Sequence, residues 1–251
     1  AFSVERDGEP VSIDGVPTAD LLRTYLGMAS YELEFYASAQ FFSRALLDEA
    51  LLQFCGVDTS DGVDMAFQTE QGAITRHYSF VPADQRTGVQ SNGDADKWVD
   101  YSVDREHDLA VFTLKSCDVN AVYASTLDSF FSEVRSNKIP NIAVDLRGNG
   151  GGDSRVANEF LQYIDVDSYA SLRNAVRFGW ILWRNTGGVA VNHKKPSTFG
   201  GNIYVLTDSD TYSSAMDFAM LVKDNQLGVI VGGTSGNLPD SYGDILYFQL
   251  P

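Results

Sequence analysis

Apolar residues along the chain fall in runs, in alternation and at helical spacing, and the switches between these patterns outline its elements. Val11-Ser-Ile-Asp-Gly-Val-Pro predicts a strand and a turn, with a helix opening over residues 18–26. Residues 32–54 are rich in Leu, Phe and Ala and hold no glycine or proline, which predicts one or two helices. Their aromatics, Phe35, Tyr36, Phe41 and Phe42, are expected to pack in a core rather than to hold a cofactor. Met65-Ala-Phe-Gln and residues 74–80 alternate as strands do. From Pro82 to Lys97 the chain turns polar, as a loop does.

The remainder reads β-α-β-α. Residues 109–114 predict a strand, followed by a helix with Val119, Val122, Tyr123, Phe130, Phe131 and Val134 on one face. Pro140 leads into a strand over 142–146, and a helix follows over 154–164. Residues 175–183 predict an extended element or hairpin arm, and 189–195 a second. Ile203 to Leu206 predicts a buried strand, and Ala215, Phe218, Ala219 and Val222 fall at helical spacing. Such alternation points to an α/β layered fold. The expected organisation is an accessory region over 1–81, a linker over 82–107 and the layered core over 108–251.

Composition narrows the function. With 44% hydrophobic and 12% aromatic residues, the 251-residue chain can bury a sizeable core. A formal charge of −16 repels nucleic acid and anionic membrane. Cys55 and Cys117 are too few for a disulfide scaffold, and no paired spacing suggests a metal. No apolar run reaches membrane-spanning length. Ala1-Phe-Ser-Val opens the chain and Ile245-Leu-Tyr-Phe-Gln-Leu-Pro251 closes it inside apparent strands, which reads as a piece of a longer polypeptide.

The candidate chemistry lies in two stretches. Ser213-Ser-Ala at a helix start places a hydroxyl where backbone N–H groups are free and the helix dipole favours negative charge. Those conditions suit an acyl-transfer nucleophile, and Ser214 is the expected one. Ser214-x-x-Asp217 is also a capping-box-like pattern, so Asp217 is expected to cap or orient the helix rather than complete a triad. The second stretch, Asp145-Leu-Arg-Gly-Asn-Gly-Gly-Gly152, follows a strand and presents bare N–H groups. It fits neither phosphate-loop pattern, because Asp153 stands where a lysine or a last glycine is needed. A transient oxyanion is the better ligand.

Together the two stretches resemble the C-terminal processing (tail-specific) protease and tricorn-core family of serine peptidases. The D-L-R-x-N-x-G-G loop of that family matches Asp145–Gly152, its Ser-Ala-x-Glu segment matches Ser214–Asp217, and its G-x-x-T-x-G turn matches the stretch after Val229. The resemblance covers about residues 108–251. It implies a crotonase-like (ClpP-like) core with an α+β accessory region, a PDZ-like remnant near Val11, no cofactor and an extracytoplasmic or secreted setting. Ser214 would attack a peptide or unfolded protein, Gly151, Gly152 and Ala215 would hold the oxyanion, and Asp145, Arg147, Asn149 and Asp217 would support them. Tail-specific members place a general-base lysine after the T-x-G turn, where this chain has Asn237, so the resemblance points to the histidine-using branch. His77, His107 and His193 sit in segments without a family match. A base supplied from outside the chain, or a catalytically silent relative that binds peptide or an apolar ligand, are the two ways to read that gap.

Overall fold

The computed structural model describes residues 8–81, 97–240 and 243. The strands expected at 1–7 and 245–251, and most of the polar 82–97 stretch, lie outside the described residues. The chain forms two compact units, Ala1–Asn92 and Gly93–Pro251.

In the first unit β1 (Glu9–Ile13), β2 (Val16–Pro17), β3 (Val63–Thr69) and β4 (Gly72–Tyr78) make an antiparallel sheet of order β2-β1-β3-β4. Between them run α1 (Thr18–Met28), α2 (Glu34–Gln40, continued by a π turn over Phe41–Ala45) and α3 (Glu49–Phe54). Ile13, Leu21, Phe41, Leu52, Met65 and Phe67 form the core. Of the aromatics expected there, Phe41 is fully buried, while Phe35 and Phe42 are exposed. Period 3.6 brings only one side of α2 to the sheet, and Ala37 and Phe41 occupy it. His77 lies on β4 opposite Asp64, with its Nδ1 2.8 Å from the carboxylate.

The second unit holds a five-stranded sheet of order β13-β12-β7-β6-β5. Its strands are β5 (Val99–Asp104), β6 (Leu109–Leu114), β7 (Asn141–Asp145), β12 (Asn202–Thr207) and β13 (Val229–Gly232). β6, β7, β12 and β13 are parallel, and β5 pairs antiparallel with β6. β5 therefore falls inside the expected linker: its acidic alternate positions, Asp100 and Asp104, hide an edge strand whose Val99 side is buried. Helices α4 (Ala121–Ser136), α5 (Arg155–Leu161) and α6 (Ser214–Asp224) cover one face. Ala110, Phe112 and Leu114, with Ile142, Val144, Ile203 and Val205, point into that layer at the strand period of two. Phe112 touches Phe130 at 5.3 Å between centroids, and Phe160 links to Phe218 at 5.2 Å, so the aromatics join all three helices. Val122 does not share this face; it is 54% exposed, because the buried stripe of α4 runs Tyr123, Leu127, Phe130, Phe131 and Val134.

Between α5 and β12 the chain makes an excursion. β8 (Ser168–Ala170) pairs with β11 (Val189–Val191), and β9 (Asn174–Phe178) with β10 (Ile181–Asn185), each pair antiparallel. The expected extended element at 175–183 is this second hairpin. No helix among the described residues is long and apolar enough to cross a membrane.

Candidate active site

Three neighbouring parallel strands end on the same side of the sheet, and each delivers part of the site. After β6 come Lys115 and Cys117, after β7 the glycine loop, and after β12 the turn that opens α6. The carboxyl ends of adjacent parallel strands are where open α/β sheets hold their ligands.

The glycine loop and the β12 turn are tied together by hydrogen bonds. Asp208 Oδ1 accepts from the Gly148, Asp210 and Thr211 N–H groups, each at 3.0 Å. Thr211 Oγ1 donates to the Leu146 carbonyl at 2.9 Å, and Tyr212 N–H to the Asn149 carbonyl at 2.9 Å. Asn149, fully buried, donates its Nδ2 to the Leu114 carbonyl and accepts from Gly151 N–H at 2.8 Å. Cys117 clamps the loop from the other side, its N–H on the Gly151 carbonyl and its carbonyl accepting from Asp153 N–H. Burial pushes the Cys117 thiol up to about 12, so it stays protonated and structural.

Glycine is required at two of these positions. Gly151 (φ +100°) leaves room for Ser213, whose Cβ would lie 2.7 Å from a side chain there. Gly152 (φ +136°) packs so closely that a Cβ would sit 2.0 Å from the Cys117 carbonyl oxygen.

The structure thus brings the two expected stretches together, and it separates the roles of the two serines. The Ser214 hydroxyl is buried and donates to the Gly152 carbonyl at 2.7 Å. Ser213 lies half-buried at φ 53°, ψ −125°, a conformation that costs a non-glycine residue about 1–3 kcal/mol. Its hydroxyl has no hydrogen-bond partner among the described residues. Both residues are serines, so only the backbone conformation tells them apart.

Of the three expected donors, Gly151 and Ala215 are already bonded and Gly152 is not, among the described residues. Gly151 N–H is held by Asn149, and Ala215 N–H donates to the Tyr212 carbonyl at 3.1 Å. The Ser214 N–H opens α6 without an acceptor among the described residues. The Gly151 carbonyl faces Cys117, so across the trans peptide the Gly152 N–H points the opposite way, as does the carbonyl that meets Ser214.

Of the supporting residues, Asp145 is 7% exposed, and its carboxylate receives Arg147 Nε and Nη2 and Lys115 Nζ. Burial alone would raise the carboxyl, but the Arg147 bonds and Lys115 outweigh it and hold it below the usual range. The capping-box pattern is not used, because no side chain caps α6. The Ser214 hydroxyl is drawn to Gly152, and the Asp217 carboxylate has no hydrogen-bond partner among the described residues. Burial raises the Asp217 carboxyl.

No histidine of this unit reaches Ser213. His107 bonds Asp104 in the β5–β6 turn, at the opposite end of the sheet. His193 follows the buried Asn192, which caps the far end of α5 through the Leu161 and Ile164 carbonyls. Lys115 is occupied by Asp145 and the Arg147 carbonyl. Among the described residues no group of His, Cys, Asp and Glu could hold a metal.

Asp208, Thr211, Cys117 and Lys115 are not singled out from the sequence as partners of this site, and Asn237 is singled out there only as the residue in place of a lysine base. Asp208-x-x-Thr211 carries a readable signal, since Asp and Thr at that spacing close a turn on their own backbone. The others meet the site only through strand neighbours.

A serine held on a strained turn between strand and helix, with bare N–H groups beside it, can serve acyl transfer. The chain belongs to peptidase family S41, whose family model matches residues 108–240. No curated protein matches it. Among solved structures it is similar to mature CPAF complexed with lactacystin, at 13% identity and a TM-score of 0.59, over 96% of this chain and 66% of that one. It is also similar to a second structure of mature CPAF, at 13% identity and a TM-score of 0.56, over 90% and 62%. The photosystem II D1 C-terminal processing protease matches at 13% identity and a TM-score of 0.44, over 90% and 51%. The chain spans about half to two thirds of the length of these structures.

Proposed function

We propose that this chain is the core of a serine endopeptidase that cleaves peptides or unfolded protein through an acyl-enzyme, with Ser213 as nucleophile. The observation that carries this is the strained Ser213 turn facing the glycine loop, with the Ser214 hydroxyl already committed to Gly152. Ser213 Oγ attacks the scissile carbonyl, and the N–H groups of Ser214 and Gly152 hold the oxyanion. One such donor is worth about 10²–10³ in turnover. The crotonase-like reading of the core fits the helix-covered parallel sheet, with both loops at its carboxyl end.

The general base comes from a histidine supplied by a longer polypeptide, because His77 is bonded to Asp64 in the first unit, His107 and His193 lie at the far end of the second, and Asn237 takes no proton near neutral pH. The chain by itself is then slow, keeping roughly 10³–10⁴ over water rather than a full enzyme's rate. The test is labelling by a fluorophosphonate, and by lactacystin, with the adduct located by mass spectrometry. It is run on this chain and on a polypeptide extended in both directions. Ser213→Ala abolishes labelling of the longer protein, and Ser214→Ala leaves most of it. An adduct on Ser214, or labelling that survives Ser213→Ala, overturns the assignment. Among the described residues of this unit no base lies near Ser213, which also favours a second reading, a catalytically silent peptide-binding relative. That reading holds if neither polypeptide is labelled.

A further inference from the structure

The segment that follows β13 lies along the turn that carries Ser213 and is bonded to it step by step. Gly233 N–H donates to the Thr207 carbonyl at 2.9 Å, and Thr207 Oγ1 to the Gly233 carbonyl at 2.8 Å. Gly236 N–H donates to the Thr211 carbonyl at 3.0 Å. The last bond in the series uses a side chain: Asn237 Oδ1 accepts from Ser213 N–H at 2.8 Å. Asn237 is 2% exposed, and its Nδ2 donates to the Leu238 carbonyl at 3.1 Å, which fixes which way the carboxamide faces.

That bond falls on the residue whose backbone is strained. At this position the Ser213 N–H takes its acceptor from neither strand nor helix but from a side chain. We propose that Asn237 is a positioning residue for the reaction: its carboxamide oxygen holds the Ser213 peptide at φ 53° and keeps the Ser213 N–H out of the oxyanion site. The hydroxyl is then presented in one direction, and the Ser214 and Gly152 N–H groups are left to meet the developing charge. Asn237 moves no proton. It acts through the peptide it holds. This rests on Ser213 being the nucleophile, and the experiment below separates the two claims.

Asn237→Ala removes the acceptor, while Asn237→Asp keeps an oxygen at the same place. Fluorophosphonate labelling is measured on the polypeptide extended in both directions, alongside hydrogen exchange at the Ser213 amide. Asn237→Ala is expected to slow labelling roughly 10–100-fold, the loss typical of a reacting group misplaced by about 1 Å. It also speeds exchange at Ser213 about 2- to 10-fold, the effect of one lost hydrogen bond. Asn237→Asp restores part of both, since it keeps the acceptor but turns an oxygen towards the Leu238 carbonyl. If the Ala variant labels like the wild type, or labels slowly while the Ser213 amide stays equally protected, the proposal is overturned. If the wild type is not labelled at all, the nucleophile reading fails and exchange alone decides. Faster exchange in the Ala variant then supports only the hold of Asn237 on the Ser213 peptide and overturns its part in the reaction, and unchanged exchange removes both.

Discussion

Two excursions leave the same sheet and are built in opposite ways. The segments after β7, β12 and β13 are short and polar, and they carry buried polar side chains: Asn149 and Thr211 are 0% exposed and Asn237 is 2% exposed. The β9–β10 hairpin is apolar and open, with Trp180 91% and Trp183 66% exposed. Among these connecting segments burial therefore does not follow hydrophobicity. Polar groups go inside where backbone from two or three strands converges to satisfy them, and no side-chain polar atom among the described residues is left buried without a partner. The large apolar groups of the hairpin find no such convergence, since a two-stranded arm offers only its own width.

The contrast is broken most severely at Gly152. Gly152→Ala places a Cβ against the Cys117 carbonyl in a conformation that alanine resists, and is expected to cost about 4 kcal/mol or more. Denaturant unfolding measures the loss, while Trp183→Ala in the arm shifts the midpoint hardly at all. Asn149→Ala comes next: it strands the Gly151 N–H and the Leu114 carbonyl, a loss of about 2–4 kcal/mol in the same assay.

Asp145→Asn sharpens the comparison through pH. The Asp145 carboxyl is lowered in the folded chain, so its contribution is present above the unfolded value near 4 and disappears as pH falls through the folded one. The variant is expected to be less stable than wild type by about 1–2 kcal/mol at neutral pH, with Arg147 and Lys115 largely in solvent. The gap closes on acidification, and equal midpoints at pH 7 contradict the pairing.

Asp217 gives the smallest effect, with the opposite sign. Its carboxyl is raised by burial, so the folded state penalises its charged form at pH above the raised value. Asp217→Asn is expected to raise the thermal midpoint by about 1–3 °C at neutral pH, and the gain fades as pH falls below the folded value. A midpoint that drops at neutral pH shows instead that the first-turn dipole at α6 outweighs desolvation.

The sheet strands were legible because β6, β7 and β12 are apolar runs with turn residues at both ends, and the three glycines marked a loop that must come close to something. What that something was could not be read locally. Cys117 meets Gly152 across thirty-odd positions because β6 lies beside β7, and strand order is not written in either segment. The same is true of Asp208 and Gly148. Ser213 and Ser214 are chemically identical, and the difference between them is one backbone dihedral pair imposed by contacts from the glycine loop and Asn237. Edge strand β5 was missed because its polar side faces away from the core, which reads in sequence as linker.

The excursion between α5 and β12 is pinched twice at its base. Asp165 N–H meets the Phe199 carbonyl at 2.9 Å, and Ser171 N–H meets the Gly188 carbonyl at 2.8 Å. Chain that leaves and re-enters at one point is modular, because closing a longer or shorter loop across a fixed gap changes the entropy only slowly with length. The hairpin beyond Ser171 and Gly188 can therefore be lengthened, traded or excised between lineages while the sheet and both tied loops stay as they are. Variation in this molecule has a natural outlet, and it is the segment that carries the exposed tryptophans.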